Sequence, residues 1–303
     1  MPMFRELFAN EYVIPLALGL GFGILCRLYL LRTDYRQYPT FPHGKIIHIS
    51  LGVIASALGS LAVPSLLKQD YTAVTFLTVA AQQFRDVRNM ERTTLTEIDK
   101  RELVPRGGPY IEGIAMVFEG RNYLVIFTSL VTTFATVLFN WWGGCLVGIA
   151  ALVISRLLKS GQTLASIVEV QPAEVRVEGK DLYVGDIYIM NVGLTNAQEL
   201  IQKRGMGFIL VPKDDNATVS IAHPGQRQAI LHDVATQMGV FTDEGEPSLT
   251  PLVKRDLETG RLGVFLLPQV RSHERAKAVI EAVPILESVY RMPKEAPPVE
   301  QGG

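Results

Sequence analysis

Two carboxylates lie close together in a glycine-rich, apolar stretch near the middle of the chain. Glu112 and Glu119 belong to residues 107–120, whose sequence is GGPYIEGIAMVFEG. If this stretch is helical, the spacing puts both side chains on one face, two turns apart. Such a pair can line a cation path through a membrane protein. We therefore treat Tyr110, Glu112, Gly113 and Glu119 as candidate functional residues.

The same stretch also has a structural interpretation. Pro109 suits a first helical position, and Glu112 in the first turn would face the positive end of the helix dipole. The glycines would let this helix dock against a helical bundle or dip into it. In a further alternative, the carboxylates form buried pairs with Arg85, Arg88 or Arg106.

A second candidate site lies where a predicted strand meets a predicted helix. Gly225, Gln226 and Arg227 follow a proline at this point, and the free N–H groups of a helix start could hold an anion or contact a partner. The alternative is an ordinary turn with a solvated arginine. The chain has no Walker loop, HExxH, GxSxG or paired-cysteine pattern. The sequence therefore predicts no catalytic residue, metal site or cofactor.

Composition divides the chain into two halves. Hydrophobic residues make up 48% of it and the mean hydropathy is +0.21, and the long apolar runs fall within residues 1–159. That part carries 15 Lys and Arg against 11 Asp and Glu, whereas the remainder carries 14 against 19. We predict a transmembrane domain over 1–159, a soluble domain over 160–292 and a disordered tail over 293–303. The acidic balance of the soluble part argues against nucleic-acid binding.

Five apolar runs suggest about five transmembrane helices. The predicted spans lie near residues 12–31, 46–67, 71–84, 123–139 and 144–158. Arginine and lysine concentrate between the first two spans and between the third and fourth, so the positive-inside rule puts the N-terminus outside and the soluble domain in the cytoplasm. The expected location is the cytoplasmic membrane, with a multi-pass topology. The third run is short enough to be re-entrant instead.

Polar and small residues within the spans suggest how the helices pack. We interpret Arg27, His48 and Arg156 as side chains that snorkel toward the cytoplasmic surface. Small residues at four-residue spacing let helices approach closely. They are Gly19, Gly23, Gly52, Ser56, Gly144 and Gly148.

The soluble part begins with strand-like segments and then alternates helices with strands. Helices are predicted near Thr195–Arg204 and 226–238, with strands over 208–212, 217–222 and 263–267. From residue 186 the order β-α-β-β-α-β matches a ferredoxin-like layout. The expected fold class is thus a membrane helical bundle with an α+β domain.

The string Tyr110–Ala115, YIEGIA, resembles the signature of the YIEGIA family of bacterial membrane proteins. The strings DLYVGDIYIMNVG from Asp181 and GQRQAILHDVA from Gly225 are also similar to that family. The resemblance implies an occurrence mainly in endospore-forming bacteria, a role in sporulation or germination, and no assigned activity.

Two functional hypotheses remain open. The first is a membrane scaffold or accessory protein that binds membrane or cytoplasmic partner proteins through its soluble domain and forms homo-oligomers. The second is a channel or transporter in which the YIEGIA segment forms a re-entrant gate. The lack of a deeply placed Asp or Glu favours the scaffold, and the short third run favours the transporter.

Overall fold

A computed structural model describes residues 10–34, 42–157, 162–243, 246–247 and 249–286. It divides into two compact units. Unit 1 comprises Met1–Thr93 with Ile114–Ser160, and unit 2 comprises Thr94–Gly113 with Gly161–Gly303. The sequence placed residues 94–113 with the membrane helices, whereas they lie in unit 2. The tail predicted over 293–303 is outside the described residues.

Long helices form the described part of unit 1. They are α1 (Asn10–Asp34), α2 (Pro42–Leu67), α3 (Tyr71–Asp99) and α4 (Gly108–Leu157). Helices α1, α2 and α4 are long and apolar enough to cross a membrane, by length and composition. Helices α3 and α4 each have one end in unit 2.

Helix α3 differs from the other three because it is amphipathic rather than apolar throughout. It begins at a cap in which the N–H of Ala73 donates to Asp70 Oδ1 at 3.0 Å. Phe84 is buried among apolar residues of α1, α2 and α4, whereas Phe76 is exposed. Among the described helices, α3 does not reach the apolarity of a membrane span. The span predicted over 71–84 stays a prediction.

Helix α4 reverses direction near its middle. Phe139 and Asn140 have non-helical backbone angles, with φ 65° and ψ −177° at Asn140. A methyl group on Gly144 would lie 1.9 Å from Thr136 Oγ1, although eight residues of continuous helix would separate the two by about 12 Å. The helix therefore consists of two antiparallel arms, 108–138 and 141–157. The break falls between the two apolar runs that the sequence distinguishes.

Small and hydroxyl-bearing residues bring the helices of unit 1 close together. The hydroxyls of Ser60 and Ser129 share a 2.6 Å hydrogen bond, Ser129 donates to the carbonyl of Ser56 at 2.6 Å, and Ser56 donates to the carbonyl of Leu20 at 2.8 Å. The six residues predicted to pack helices all lie at close contacts. At the five glycines, an added methyl group would meet a side chain or backbone of this chain, and the side chain of Ser56 bridges two helices. The six residues are Gly19, Gly23, Gly52, Ser56, Gly144 and Gly148.

Unit 2 combines short helices with antiparallel sheets. The strands are β1 (Val168–Ala173), β2 (Val175–Glu178), β3 (Asp181–Val184), β4 (Ile187–Asn191), β5 (Met206–Pro212), β6 (Thr242–Asp243), β7 (Glu246–Pro247), β8 (Leu252–Arg255) and β9 (Leu262–Leu266). The helices are α5 (Leu164–Ile167), α6 (Thr195–Arg204), α7 (Asp215–Ala222), α8 (Pro224–Met238) and α9 (His273–Ala282). One sheet has the order β1-β5-β9-β8, a second has the order β2-β3-β4, and β6 pairs with β7.

One hydrophobic core of unit 2 lies between the second sheet, helix α6 and strand β9. Leu182, Val184 and Ile187 of the second sheet pack there with Ile201 of α6 and Phe265 of β9. All five side chains are buried, so their apolar area stabilises the junction of the two sheets.

The ferredoxin-like prediction is wrong, although the domain does contain both sheets and helices. Residues 217–222, predicted as a strand, form most of helix α7. The β-branched residues there favour a strand, but Asp214 caps the helix by accepting the N–H of Ala217 at 2.7 Å. Strand β4 pairs with β3 and is absent from the sheet that holds β5 and β9.

Candidate functional site

The YIEGIA segment begins helix α4, and a buried carboxylate shapes the turn before it. Asp99 at the end of α3 accepts the backbone N–H of Arg106 at 2.5 Å and that of Gly107 at 2.9 Å. Gly107 has φ 77°, a backbone conformation that favours glycine. The chain therefore turns tightly before Gly108, where the helix starts.

Helix α8 holds this turn within unit 2. His232 Nδ1 lies 2.7 Å from the carbonyl oxygen of Val104, so the imidazole donates from that nitrogen. Gln228 Nε2 donates to the carbonyl of Pro105. A methyl group on Gly225 would lie 3.0 Å from the backbone N of Tyr110. We call residues 99–113 the anchor segment, because three positions of α8 fix it.

Tyr110 and Ile111 of the YIEGIA motif belong to unit 2 and are buried. Each is 1% exposed. Asp233 of α8 and Arg106 of the anchor segment are close enough to Tyr110 for electrostatic interaction. Burial raises the pKa of Asp233 above its ordinary range, while His232 and Arg106 oppose the shift. The first turn of the motif is therefore part of a folded core.

The second predicted site has a structural role at two of its three positions. Gly225 and Gln226 are both buried. Gln226 Nε2 donates to the carbonyl of Pro284 at 3.1 Å, and its Oε1 accepts the N–H of Leu286 at 2.8 Å. Because the amide is occupied and covered, these two residues offer no surface to an anion or a partner. Arg227 is half-buried.

Glu119 lies in unit 1 and forms an ion pair with α3. Its Oε2 is 2.9 Å from Arg88 Nη1, and Tyr123 donates to Oε1 at 3.2 Å. This is one of the pairs that the sequence left open. Glu112 belongs to the anchor segment in unit 2, so the two carboxylates lie in different units. Gly113 is the last residue of that segment.

A buried cationic group lies near the same end of unit 1. Arg27 is 1% and His48 is 6% exposed. Arg27 Nε donates to the carbonyl of His48 at 3.3 Å, and the guanidinium carbon lies 4.9 Å from the centre of the Phe118 ring. A methyl group on Gly52 would lie 2.3 Å from Arg27 Cγ, so the glycine makes room for the arginine.

The snorkelling interpretation is therefore wrong for Arg27 and His48, which are buried between helices. Arg156 is exposed. A glycine four residues after His48 is a signal that could have indicated a large side chain packed against that face of α2.

Two further polar side chains, Glu91 and Asn122, lie in unusual environments in the same part of unit 1. Burial raises the pKa of Glu91 on α3, and the charge of Arg27 opposes that shift. Asn122 is 1% exposed, and within the described residues its side-chain amide has no hydrogen-bond partner. It lies one turn beyond Phe118 on the buried face of α4. Sequence reasoning missed Asn122 because an isolated asparagine in an apolar run has no distinctive spacing.

Both cysteines are free, and Cys26 contacts two hydroxyls. Cys26 is buried, with its Sγ 3.6 Å from Ser155 Oγ and 3.7 Å from Thr128 Oγ1. In the described part of the chain, no three His, Cys, Asp or Glu side chains are grouped so that they could hold a metal ion.

Comparison with known proteins gives a consistent picture. The family model described as "YIEGIA protein" matches residues 15–296. An uncharacterized protein of Bacillus subtilis (strain 168), YphB, is 53% identical over 286 residues, which cover 94% of this chain and 96% of the relative. No solved structure matches.

Proposed function

This chain belongs to the YIEGIA protein family, and we propose that it is an integral membrane scaffold or accessory protein. In this proposal it binds partner proteins through its C-terminal α+β domain and self-associates in the membrane. A role in sporulation or germination is supported by the resemblance to a family of endospore-forming bacteria and by the similarity to a Bacillus subtilis protein.

The filled interior of unit 1 is the observation that carries the proposal. Serine hydroxyls at the centre of the bundle donate to backbone carbonyls at 2.6 and 2.8 Å, and two of them bond to each other at 2.6 Å. Glycines beside them leave less space than one methyl group, since such a group on Gly23 would lie 2.1 Å from Ser56 Oγ. A passage through the middle of one subunit would have to break these contacts. The packing therefore favours a rigid membrane anchor.

The five-span topology is part of the proposal. The two arms of α4 supply two crossings, together with α1 and α2. Helix α3 starts next to the end of α2 and runs to the level of Glu119, where Arg88 pairs with it. It therefore passes along the bundle and can supply the fifth crossing. With the N-terminus outside, the C-terminal domain is in the cytoplasm, as the distribution of Lys and Arg favours.

A channel or transporter is the second candidate, and the buried pair of Arg27 and His48 favours it. Ionisable side chains inside membrane segments often mark a transport path. The gate in that hypothesis is the YIEGIA segment. Its helical geometry and the burial of Tyr110 and Ile111 in unit 2 argue against a re-entrant loop.

The experiment that tests the scaffold proposal is purification from the native membrane in mild detergent, with native mass measurement and quantitative mass spectrometry of co-purifying proteins. We expect a complex with a protein partner at fixed stoichiometry. Leu194 and Leu257 are strongly exposed apolar side chains of the C-terminal domain, and replacing them with Glu should reduce the recovery of that partner. Replacement of the exposed neighbour Glu258 with Gln is the control.

The same preparation discriminates between the two candidates. Reconstituted in liposomes, the scaffold gives no ion flux above the level of empty vesicles, and Glu112→Gln leaves the complex intact. Flux that Glu112→Gln alters, from an oligomer without a partner, would contradict the scaffold and support the transporter.

A further inference from the structure

An aromatic cleft lies at the end of unit 1 where α1 begins. Its volume is about 540 Å³, within the size range of small-molecule sites. It lies between the first turns of α1 and the reversal of α4. The side chains that give it chemical character are Glu11, Tyr12, Asn140, Trp141 and Trp142.

Backbone strain positions the two tryptophans. The φ of 65° and ψ of −177° at Asn140 belong to a region that only glycine adopts readily. The turn is tight, because a methyl group on Gly143 would lie 2.4 Å from Phe139 Cβ. Trp141 and Trp142 follow immediately, and more than half of each is exposed. The fold thus holds two large aromatic side chains at a fixed place at the rim of the cleft.

The cleft combines aromatic rings with a carboxylate, which is the chemistry that recognises a cation carrying apolar substituents. The Glu11 carboxylate lines the cleft and is exposed. The chain itself shows that a ring of the cleft attracts an ammonium group: Lys68 Nζ lies 4.8 Å from the centre of the Tyr12 ring.

We propose that this cleft binds an organic ammonium group, held by the faces of Trp141 and Trp142 and by the charge of Glu11. The ligand carrying this group is either a lipid headgroup or a water-soluble amine. Lys68 already contacts the Tyr12 ring, and its ammonium group competes with the ligand for the negative charge of Glu11. The site is separate from the scaffold function proposed above, and its test does not depend on a protein partner.

Intrinsic fluorescence tests the proposal directly, because the chain has only two tryptophans and both line the cleft. The full-length protein in detergent is titrated with choline and, as the neutral isostere, with 3,3-dimethylbutan-1-ol. We expect saturable quenching or a spectral shift with choline and none with the alcohol. In a second arm, the protein is placed in nanodiscs of phosphatidylglycerol with or without phosphatidylcholine. A response confined to the nanodiscs identifies a lipid headgroup as the source.

Substitutions in the cleft test whether it recognises a positively charged group. Glu11→Gln and Trp142→Phe should each weaken binding, by about 3- to 30-fold for the loss of one such contact. Lys68→Met should leave binding unchanged or tighten it, and Glu102→Gln, outside the cleft, is the control. An equal response to choline and to the neutral alcohol would overturn the proposal, as would loss of binding in Lys68→Met. So would the absence of any response in both arms, which would leave the tryptophans as membrane-interface anchors.

Discussion

Replacement of Tyr110 with Ala should disrupt the packing of the anchor segment against helix α8. A buried tyrosine removes about 150–250 Å² from water, which at about 25 cal/mol/Å² gives an upper bound of roughly 4–6 kcal/mol. Truncation of a large aromatic residue in a core typically costs about 3–5 kcal/mol. Tyr110 is 1% exposed, so we expect a loss in that range from the stability of unit 2.

Hydrogen exchange of the full-length protein in detergent measures this loss. Since about 1.4 kcal/mol corresponds to a factor of ten, amides of Pro224–Met238 that exchange through opening of unit 2 should exchange about two to three orders of magnitude faster. Met116→Ala is the matched control, because Met116 lies on the same helix but is exposed. Tyr110→Phe should keep most of the protection, because it retains the ring.

The reasoning would be refuted if Tyr110→Ala and Met116→Ala changed exchange in α8 to the same small extent. That result would mean that the anchor segment is not part of the folded core of unit 2.

Further predictions concern both units. Gly23→Ala should lower the thermal unfolding temperature in detergent, because its methyl group would lie 2.1 Å from a serine Oγ, whereas Gly21→Ala, with open space around it, should not. A double-mutant cycle on Arg88 and Glu119 should give a coupling of about 0.5–1 kcal/mol, since the pair is only partly buried; zero coupling would show that the ion pair contributes nothing. Because burial raises the pKa of Asp233, the stability that its protonated form contributes is complete below the ordinary Asp pKa and is lost as pH rises through the raised value. Asp233→Asn should remove this dependence in urea titrations between acidic and neutral pH, and an unchanged slope would contradict it.

The apolar helices and the break in α4 follow from local sequence features. Long apolar runs predict α1 and α2 because a lipid-facing helix needs about 20 apolar residues. The reversal at Asn140 falls in a polar, glycine-containing interruption between two such runs. The opposite charges of the two segments also make Arg88 one of the predicted partners of Glu119.

The remaining features depend on partners that are distant in sequence. The anchor segment resembles an ordinary helix start, and Gly225 of α8, which packs against the backbone of Tyr110, lies more than 100 positions later. The position of Arg27 in α1 predicts snorkelling to the membrane surface, whereas the packing of α2 and Phe118 over it keeps it buried. Residues 217–222 have strand-forming composition, but the cap at Asp214 favours the helix.

The anchor segment also has a consequence for the synthesis of the protein on the ribosome. The carbonyl of Val104 and the imidazole of His232 are 128 positions apart, and a ribosome that adds about 5–20 residues per second needs roughly 6–26 s to make that stretch. During this interval Tyr110 has been translated, whereas helix α8, which packs against it, is not yet complete. A nascent chain that stalls or is truncated before α8 therefore exposes an apolar turn, which chaperones and membrane proteases can recognise as a sign of an incomplete protein.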